Sequence, residues 1–528
     1  MVRRIVVRKN RYFDSVFLMQ VAKRIAGQPG MRDASAVLGT EANKKLLAEA
    51  GYGAGGGDAD LSAASPNDLV LALEGEEAVV NAVSADPEAW LARGAAVGAG
   101  DTGAPAPRSI GEAAALRPDS GVAVISVPGE YAAREARAAL REGLNVFLFS
   151  SNVPVEHELA LKTDARRSGL IVMGPDCGTA YVGGAGIGFA NAVRRGPIGI
   201  VGSTGTGMQE FSCLVHQAGS GISHGIGTGS RDLSDAIGGI STLAAIDALD
   251  ADRGTAVIAI LSKPPGARTA ARLVDRLGQC RKPVVVCLLG SQPGRGAVPH
   301  AIRWATTIDD AVDAALSAAG TERRTTLRHE AQSIHEQAAV QVGKMRPGQR
   351  WVRGLFAGGT FCYQSQVLFQ RAGLVAWSNS PLAGMKELSD PRHSREHSLV
   401  DMGAEVFVEG RPHPMIDATL RKKRLLQEGE DPDVAIILLD FILGAISSRD
   451  PAGDLLDAIR GVQNAARHRG DHLCIAASVC GTDLDAQGRE EQMRALGDAG
   501  VRVFPSSAQA AAFCCEAALL LGQRSGAG

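Results

Sequence analysis

Apolar and polar positions alternate along the chain in the pattern of an α/β protein. Short apolar runs, typical of buried strands, are separated by stretches in which apolar residues recur every three or four positions, as in helices. The N-terminal part predicts three strands, at residues 3–8, 33–38 and 68–73, and two helices, at residues 14–26 and 40–50. This order predicts a small α/β unit with ferredoxin-like or ACT-like wiring.

The rest of the chain predicts open sheets of parallel strands. Most of its apolar runs carry few polar residues, as expected for strands buried on both faces. The predicted strands lie near residues 121–127, 144–149, 170–173, 255–261, 283–289, 351–356, 434–439, 473–477 and 501–504, and predicted helices near 130–142, 155–168, 208–218 and 241–249. Alternation of this kind predicts doubly wound α/β domains, in which ligands bind at the carboxyl ends of the strands.

Shifts in composition divide the chain into five predicted segments. A Gly-rich patch at 53–57 interrupts the first unit, a Gly/Ala/Pro-rich stretch at 94–107 is typical of a linker, and a polar helical bridge lies at 317–348. The predicted segments are a small α/β domain at 1–110, a Rossmann-type domain at 111–195, a flavodoxin-type domain with a candidate phosphate loop at 196–320, a helical linker at 321–349, and a C-terminal α/β domain at 350–528.

Composition limits the classes of function. The net charge of −2 provides no general attraction for nucleic acid or anionic lipid. The nine cysteines lack C-x-x-C spacing, and no Asp/Glu/His cluster typical of a metal site is visible. Apolar runs stay below the length of about 18 residues that suggests a membrane-spanning helix. We expect a cytoplasmic protein that binds neither nucleic acid nor membrane, with its function in local sites.

One turn has the composition of an anion site. The apolar run that starts at Ile198 leads into Gly202-Ser203-Thr204-Gly205-Thr206-Gly207-Met208, where a helix begins. Glycines let a backbone approach a ligand, and the first N–H groups of a helix have no partner within it. The turn matches neither the P-loop nor the dinucleotide fingerprint. It is either a phosphate or carboxylate site or a plain tight turn.

Several blocks together resemble the FdrA family. They are G-P-D-C-G-T-A at 174–180, G-I-V-G-S-T-G-T-G-M-Q-E at 199–210 and G-T-G-S-R-D-L-S at 227–234, and the likeness extends over nearly the whole chain, adding the blocks at 262–265, 357–363, 410–417 and 478–482. That family is similar in architecture to the succinyl-CoA ligase superfamily. The resemblance implies α-subunit-like domains followed by a domain that resembles the carboxy-terminal part of the β-subunit.

Differences from the ligases bear on the mechanism. The ligases carry a histidine that becomes phosphorylated, whereas the corresponding turn at 290–294 of this chain has no histidine. The ligases also carry a glutamate that positions that histidine, and this chain has Ser262-Lys263 in its place. His300 lies nearby in sequence, either as a substitute or as an ordinary polar residue. The N-terminal unit lacks the coenzyme A fingerprint of the ligases, so we expect neither phosphohistidine nor a resident coenzyme.

Several individual residues are candidates for phosphate binding, substrate binding or catalysis. The resemblance implies a second helix start facing the same phosphate, in the turn 443–448 with Gly444 and Ala445. Lys263 either neutralises a leaving phosphate or is a solvated lysine. Arg231 and Asp232 form either a substrate clamp or a helix cap with an exposed arginine. The proline-rich block at 410–417 contains two further candidates, Arg411 for substrate binding and His413, which is either an acid or base or a buried, hydrogen-bonded histidine.

The resemblance implies oxamate carbamoyltransferase chemistry. Carbamoyl phosphate and oxamate would be interconverted with phosphate and oxalurate, with additional partner subunits or a homo-oligomer completing the site and with no cofactor required. Mg²⁺ accompanying the phosphate is consistent with the sequence, since it would leave little signature. Two alternatives remain, an NDP-forming acyl-CoA synthetase and a non-catalytic scaffold whose ACT-like start binds an effector.

Overall fold

The computed structural model describes residues 1–528 except for residues 12, 14, 53–58, 93–106, 292–301, 322–326, 410 and 527–528. The Gly-rich patch, nearly all of the proposed linker and His300 therefore lie outside the described residues. The chain divides into two compact units, Met1–Pro107 with Glu405–Pro412, and Arg108–Ala404 with His413–Gly528.

The first unit contains a three-stranded antiparallel sheet. Its elements are β1 Val2–Arg8, α1 Ser15–Ala26, β2 Met31–Leu38, α2 Glu41–Leu47, a π-helical turn Ala48–Tyr52, α3 Ala59–Ser62, β3 Leu69–Gly75, α4 Glu77–Ala85 and α5 Pro87–Ala92. Strand β3 lies between β1 and β2 and is buried at all seven positions, which explains its apolar sequence. A β-α-β unit with an antiparallel strand inserted at its centre is the ferredoxin-like arrangement that the sequence predicts.

The second unit opens with a small parallel sheet. Its elements are α6 Ile110–Leu116, β4 Val122–Ile125, α7 Gly129–Arg141, β5 Asn145–Leu148, α8 Val155–Arg167 and β6 Val172–Met173. The strand order is β4-β5-β6. Helix α7 packs on this sheet through an alanine stripe of helical spacing, Ala132, Ala136 and Ala139, because small side chains let the helix approach the strands closely.

A seven-stranded sheet follows. Its elements are β7 Thr179–Val182, β8 Ala185–Gly188, β9 Arg195–Gly202, α9 Gly205–Gln217, β10 Ile222–Gly227, α10 Ile240–Ala251, β11 Val257–Ser262, α11 Ala267–Leu277, β12 Val284–Leu288, β13 Ile302–Ala305 and α12 Ile308–Ala318. The order is β13-β12-β11-β9-β10-β7-β8. Apolar residues of α9 and α12 pack in one core cluster and those of α10 and α11 in another, so the sheet is doubly wound as predicted. The sequence pattern did not predict the β7–β8 hairpin.

The C-terminal part forms a second seven-stranded sheet. Its elements are α13 Leu327–Val342, β14 Trp351–Phe356, α14 Gly359–Arg371, β15 Trp377–Ser378, β16 Lys386–Glu387, β17 Ser398–Asp401, α15 Glu405–Val408, α16 Thr419–Glu430, β18 Val434–Ile442, α17 Gly453–His468, β19 Cys474–Cys480, α18 Arg489–Asp498, β20 Arg502–Phe504 and α19 Ser507–Gly526. The order is β16-β15-β17-β14-β18-β19-β20. Short α15 belongs to the first unit.

The parallel strands of both large sheets have the same order. When the two-residue strands β15 and β16 at the edge of the second sheet are left out, β10-β9-β11-β12-β13 and β17-β14-β18-β19-β20 both follow the flavodoxin-like order 2-1-3-4-5. The first helix of each, α9 and α14, has 13 residues, and each ends at an alanine followed by a glycine of positive φ, Gly219 and Gly373. In this order ligands bind where the first strand adjoins the third.

Candidate functional site

The turn at residues 202–208 begins helix α9 at the switch point of the first large sheet. The N–H of Ser203 donates to Leu261 O over 3.1 Å, and the first helical bond runs from Met208 N–H to Thr204 O over 3.2 Å. The N–H groups of residues 205–207 therefore precede the helical ladder. An anion at this turn could therefore not use the N–H groups of Ser203 and Met208, which the protein already engages.

A second helix start faces this turn. Helix α14 follows β14, and the N–H groups of Ala357 and Gly358 donate to the Asp440 carboxylate at 2.8 and 2.7 Å. The hydroxyl of Thr206, in the first turn of α9, donates to Thr360 Oγ1, in the first turn of α14, over 2.9 Å. The N-termini of α9 and α14, equivalent helices of the two sheets, thus lie side by side.

Glycine makes this close approach of the two helix starts sterically feasible. A Cβ built on Gly207 would lie 2.7 Å from Thr204 Cγ2 and 3.1 Å from Thr360 Cγ2. The hydroxyls of Thr204 and Thr360 also bond to each other. Any larger residue at 207 would push the helix starts apart, so its glycine contributes to the geometry of the site.

The turn 443–448 does not supply the second helix start. Helix α17 begins only at Gly453. The N–H of Ala445 donates to Ala190 O over 3.1 Å, and the N–H of Gly444 donates to Gln487 Oε1 over 3.4 Å. The structure therefore places Gly444 and Ala445 in a loop whose backbone donors are already engaged within the protein, and it places α14 where the sequence predicted this turn.

Lys263 lies at the same edge of the sheet as the turn. It directly follows β11, whose last residue, Ser262, bonds through its hydroxyl to the hydroxyl of Ser203 over 2.5 Å. The Lys263 ammonium lies 5.1 Å from the ring centroid of Tyr363, in the first turns of α14. The side chain is exposed, and the attraction between an ammonium and an aromatic ring restricts its range of positions. Lys263 and the turn thus lie at the same edge of the sheet.

Thr179 provides a further polar group at the turn. Its side chain is 1% exposed, and its Oγ1 has no hydrogen-bond partner among the described residues. A Cβ built on Gly205 would lie 3.4 Å from this oxygen, so the hydroxyl lies against the turn. Buried hydroxyls normally have partners. An anion that accepts hydrogen bonds at the turn would satisfy Thr179 as well.

Arg231 and Asp232 lie in a buried ion-pair network. Lys162, whose side chain is 0% exposed, contacts Asp232 Oδ1 at 2.7 Å and Glu158 Oε1 at 2.8 Å. The Thr242 hydroxyl donates to Asp232 Oδ2 over 2.7 Å, and Arg231 Nε donates to Glu158 Oε2 over 3.1 Å. The structure thus places Asp232 in the core, where it joins α8 to the first large sheet, and it pairs Arg231 with protein groups in place of a substrate.

The two remaining candidates are in different units. Arg411 belongs to the first unit, where its N–H donates to Val408 O. His413 belongs to the second, where its ring centroid lies 5.7 Å from that of Phe189 and its Nδ1 accepts from Met415 N–H. Burial, together with the charge of Arg421, lowers the pKa of His413 to about 4. The imidazole is therefore neutral near pH 7.

A buried carboxyl group that sequence patterns did not single out lies beside α14. Asp401 ends β17 opposite Phe356, the last residue of β14, so the parallel register brings it to the helix start. A Cβ built on Gly359, the first residue of α14, would lie 2.6 Å from Asp401 Oδ2. The local sequence, V-D-M-G after a short apolar run, is compatible with a strand that ends at Asp401. It does not predict the register between β17 and β14, which is what places Asp401 beside the helix start.

The cysteines, the metal-ligating side chains and the lengths of the helices bear on further classes of site. All nine cysteines are free, and all but half-buried Cys280 are buried. Across the described ranges, no group of three His, Cys, Asp or Glu side chains is arranged to hold a metal ion. None of the helices in the described parts of the chain has the length and apolar character that a membrane crossing requires.

Sequence comparisons define the class of protein. The family model of CoA-ligases matches residues 355–515, and that of the AllF heavy metal-associated domain matches residues 1–107. The protein therefore combines an AllF-like N-terminal domain with a CoA-ligase-like fold. Residues 1–107 contain neither cysteine nor histidine. The N-terminal domain thus lacks the thiolate and imidazole ligands that soft metal ions prefer.

A closer relationship specifies the family. The uncharacterized protein YahF of Escherichia coli K12 is 40% identical over 509 residues, which cover 96% of this chain and 96% of YahF. The chain belongs to the FdrA family, as the sequence blocks predicted.

Two solved structures are similar to the chain at low identity. The dinucleotide-forming acetyl-coenzyme A synthetase 1 of Ca. Korarchaeum cryptofilum is 16% identical, with 77% of this chain and 83% of that chain covered and a TM-score of 0.28. The ATP citrate lyase of Methanothrix soehngenii is 14% identical, with 79% and 84% covered and a TM-score of 0.32.

Proposed function

We propose that this protein is a carbamoyltransferase subunit that holds carbamoyl phosphate between the starts of α9 and α14 and transfers the carbamoyl group to oxamate. The observation that carries the proposal is the contact between the two helix starts, where Thr206 donates to Thr360 over 2.9 Å at the switch points of both sheets. Membership of the FdrA family supports the choice of reaction. Transfer releases inorganic phosphate and yields oxalurate.

The proposed chemistry is electrostatic. As the bond between the carbamoyl carbon and the phosphate oxygen breaks, negative charge grows on the phosphate. Two helix N-termini would stabilise that charge through their dipoles and through the N–H groups that precede the helical ladder, which on α14 are those of Gly359 and Thr360 because Ala357 and Gly358 donate to Asp440. The Lys263 ammonium, which follows the strand next to β9, adds a full positive charge at the same edge. A phosphate held in this way needs no covalent link to a histidine.

The remaining components of the reaction come from outside the site. Partner subunits, or further copies of the chain, would complete the pocket for oxamate. The proposed transfer uses neither a nucleotide nor coenzyme A, and a Mg²⁺ ion that accompanies the phosphate is compatible with it. An NDP-forming acyl-CoA synthetase would require both ATP and coenzyme A, and a scaffold would turn over nothing, so the three functions differ in what they consume.

Phosphate binding tests the site itself. Gly205→Val should weaken binding of inorganic phosphate, measured by titration calorimetry, by more than about tenfold, because the branched side chain fills the approach to the N–H groups. Gly121→Val is the matched control, since a Cβ at Gly121 meets nothing within 4 Å. Equal phosphate affinity in both variants would contradict the site.

Transfer is tested with the partner subunits present. The assembly is supplied with carbamoyl phosphate and oxamate, and oxalurate and phosphate are measured. Turnover without ATP and coenzyme A supports the proposal. Dependence on both, with a phosphorylated protein intermediate, would replace it by the synthetase reaction. Phosphate binding without any turnover would support the scaffold.

A further inference from the structure

Two aspartates flank the start of α14, one from each strand beside β14. Asp440, in β18, accepts from the N–H groups of Ala357 and Gly358 and pairs with the buried Arg421 at 2.9 Å. Its carboxylate is therefore fully committed to the fold. Asp401, at the end of β17, has a different environment, which indicates a different role.

Hydrogen bonds fix both the backbone and one carboxylate oxygen of Asp401. Its N–H donates to Asn379 Oδ1 and its carbonyl accepts from Asn379 Nδ2, both over 2.9 Å. Its Oδ1 accepts from the N–H of Gly403 over 2.9 Å. Its Oδ2 lies against Gly359, where any Cβ would approach it to 2.6 Å. One carboxylate oxygen is thus anchored, and the other is directed at the first residue of the helix that faces the anion turn.

Electrostatics distinguishes Asp401 from an ordinary helix cap. Burial raises the pKa of Asp401 to about 6, whereas the charge of Lys263 and the N–H donors of Gly403 and Ala404 oppose that rise and Asp440 adds to it. Cys362, on α14, also interacts electrostatically with Asp401 and has its own pKa raised by burial, so it remains a neutral thiol. Near neutral pH, Asp401 is therefore a carboxylate that accepts a proton readily.

We propose that Asp401 is the base that removes a proton from the acceptor amide during carbamoyl transfer, an inference that rests on the proposed function. The amide nitrogen of oxamate is a poor nucleophile until a proton leaves it. A carboxylate fixed beside the helix start that binds the phosphate can receive this proton. Lys263, at the edge of the first large sheet, lowers the pKa of Asp401 and so favours the charged carboxylate before the transfer.

The step balances without another reactant. The acceptor nitrogen forms a bond to the carbamoyl carbon, and the bond from that carbon to the phosphate oxygen breaks, with its electron pair staying on the phosphate. The proton from the nitrogen passes to Asp401 and from there to the leaving phosphate, which departs as hydrogen phosphate. Asp401 returns to its carboxylate form, ready for the next turnover.

Asp401→Asn tests the inference in the assembly with partner subunits. The amide keeps the size of the carboxyl group but cannot take a proton, so kcat should fall by about 10²-fold or more, as for other general bases. Phosphate affinity should hold or increase, because a negative charge near the phosphate is removed. The wild type should show a rise of kcat/KM through about pH 6, and this rise should be absent from the variant. A purely structural role would instead lower phosphate affinity and kcat together.

Asp68→Asn is the matched control, because Asp68 is also a buried aspartate that accepts from backbone N–H groups and pairs with a lysine, but in the first unit. A folded Asp401→Asn variant with kcat within about threefold of the wild type, or with the pH dependence retained, overturns the inference while leaving the proposed function intact. Absence of transfer by the wild-type assembly overturns the proposed function itself.

A second variant decides the matter if Asp401→Asn does not fold. Lys263→Met removes the cation that lowers the pKa of Asp401, so the acidic limb of kcat/KM should move to higher pH. An acidic limb that stays in place in this variant overturns the assignment of Asp401 as the base.

Discussion

Lys263 is the residue whose charge the proposed reaction uses most directly. Lys263→Met should lower kcat/KM for carbamoyl transfer by roughly 10²-fold, because an ammonium beside the departing phosphate stabilises charge that grows in the transition state. Lys386→Met is the matched control, since Lys386 lies 5.0 Å from the ring of Trp377 much as Lys263 lies 5.1 Å from that of Tyr363. A fully active Lys263→Met variant would assign Lys263 to a solvated loop.

Glu210 predicts a pH dependence of stability. This buried carboxyl group on α9 accepts from the N–H of Ser507 over 2.6 Å, and burial, with Asp309 adding to it, raises its pKa to about 8. The folded state thus keeps a proton that the unfolded state releases above pH 4.5, so this group makes stability fall as pH rises toward 8.

Glu210→Gln removes that titration. Melting temperatures measured between pH 5 and pH 8.5 should fall less in this variant than in the wild type, whereas Glu490→Gln, on an exposed part of α18, should behave like the wild type. Identical slopes in all three proteins would show that Glu210 titrates normally.

Single residues at the site were predictable to different extents. The turn at 202–208 and Lys263 were predicted because glycines and a cation at strand ends carry their chemistry in the local sequence. Thr360 and Asp401 were not, since their significance depends on which strands and helices adjoin them. Asp232 shows the converse case, in which a polar residue after a Gly-rich turn serves a buried ion pair.

At the scale of elements, the two helix starts should act as one site. Thr206→Val and Thr360→Val each remove a hydroxyl from the contact, and each should weaken phosphate binding by roughly threefold to tenfold, the effect of about one hydrogen bond. The double variant should lose less than the sum of both effects in free energy, because the two hydroxyls bond to each other.

Titration calorimetry of the four proteins completes the cycle. Thr163→Val is the control, since the Thr163 hydroxyl donates to Leu159 O within α8, away from both helix starts. Strictly additive losses would show that the helix starts bind phosphate independently, and unchanged affinities would exclude the hydroxyls from the site.

The longer apolar strands of the large sheets were predictable from the sequence. Strands β9, β11, β12, β14, β18 and β19 were predicted because parallel strands covered on both faces are almost continuously apolar, whereas β10, β13 and β15 to β17, which are shorter or contain more polar residues and glycine, were not. The β7–β8 hairpin was missed because β8 is half glycine and both strands are only four residues long. The second helix start was predicted at 443–448 from the ligase resemblance, whereas β18 ends at Ile442 and the next helix begins only at Gly453. A loop separates the strand from the helix where the ligases have a tight turn.

At the scale of the whole molecule, the Lys162 network holds the small parallel sheet to the first large sheet. Lys162→Met should destabilise the second unit by about 3–5 kcal/mol, because it leaves Asp232 buried without its counter-ion and leaves Glu158 paired only with the partly exposed Arg231. Guanidinium unfolding measures the effect, with the exposed Lys423→Met as control. A loss below about 1 kcal/mol would show that neighbouring donors already satisfy both carboxylates.

The contact between the helix starts joins residues 154 positions apart in sequence, Thr206 and Thr360. Such a long-range contact forms only once both large sheets have folded and docked, which makes its assembly slow. A phosphate bound there recognises the docked state alone and would stabilise it by about 2.7 kcal/mol at one hundred times its Kd. Under the proposed function, carbamoyl phosphate would thus also act as a folding ligand and would protect the docked chain from unfolding and from proteolysis.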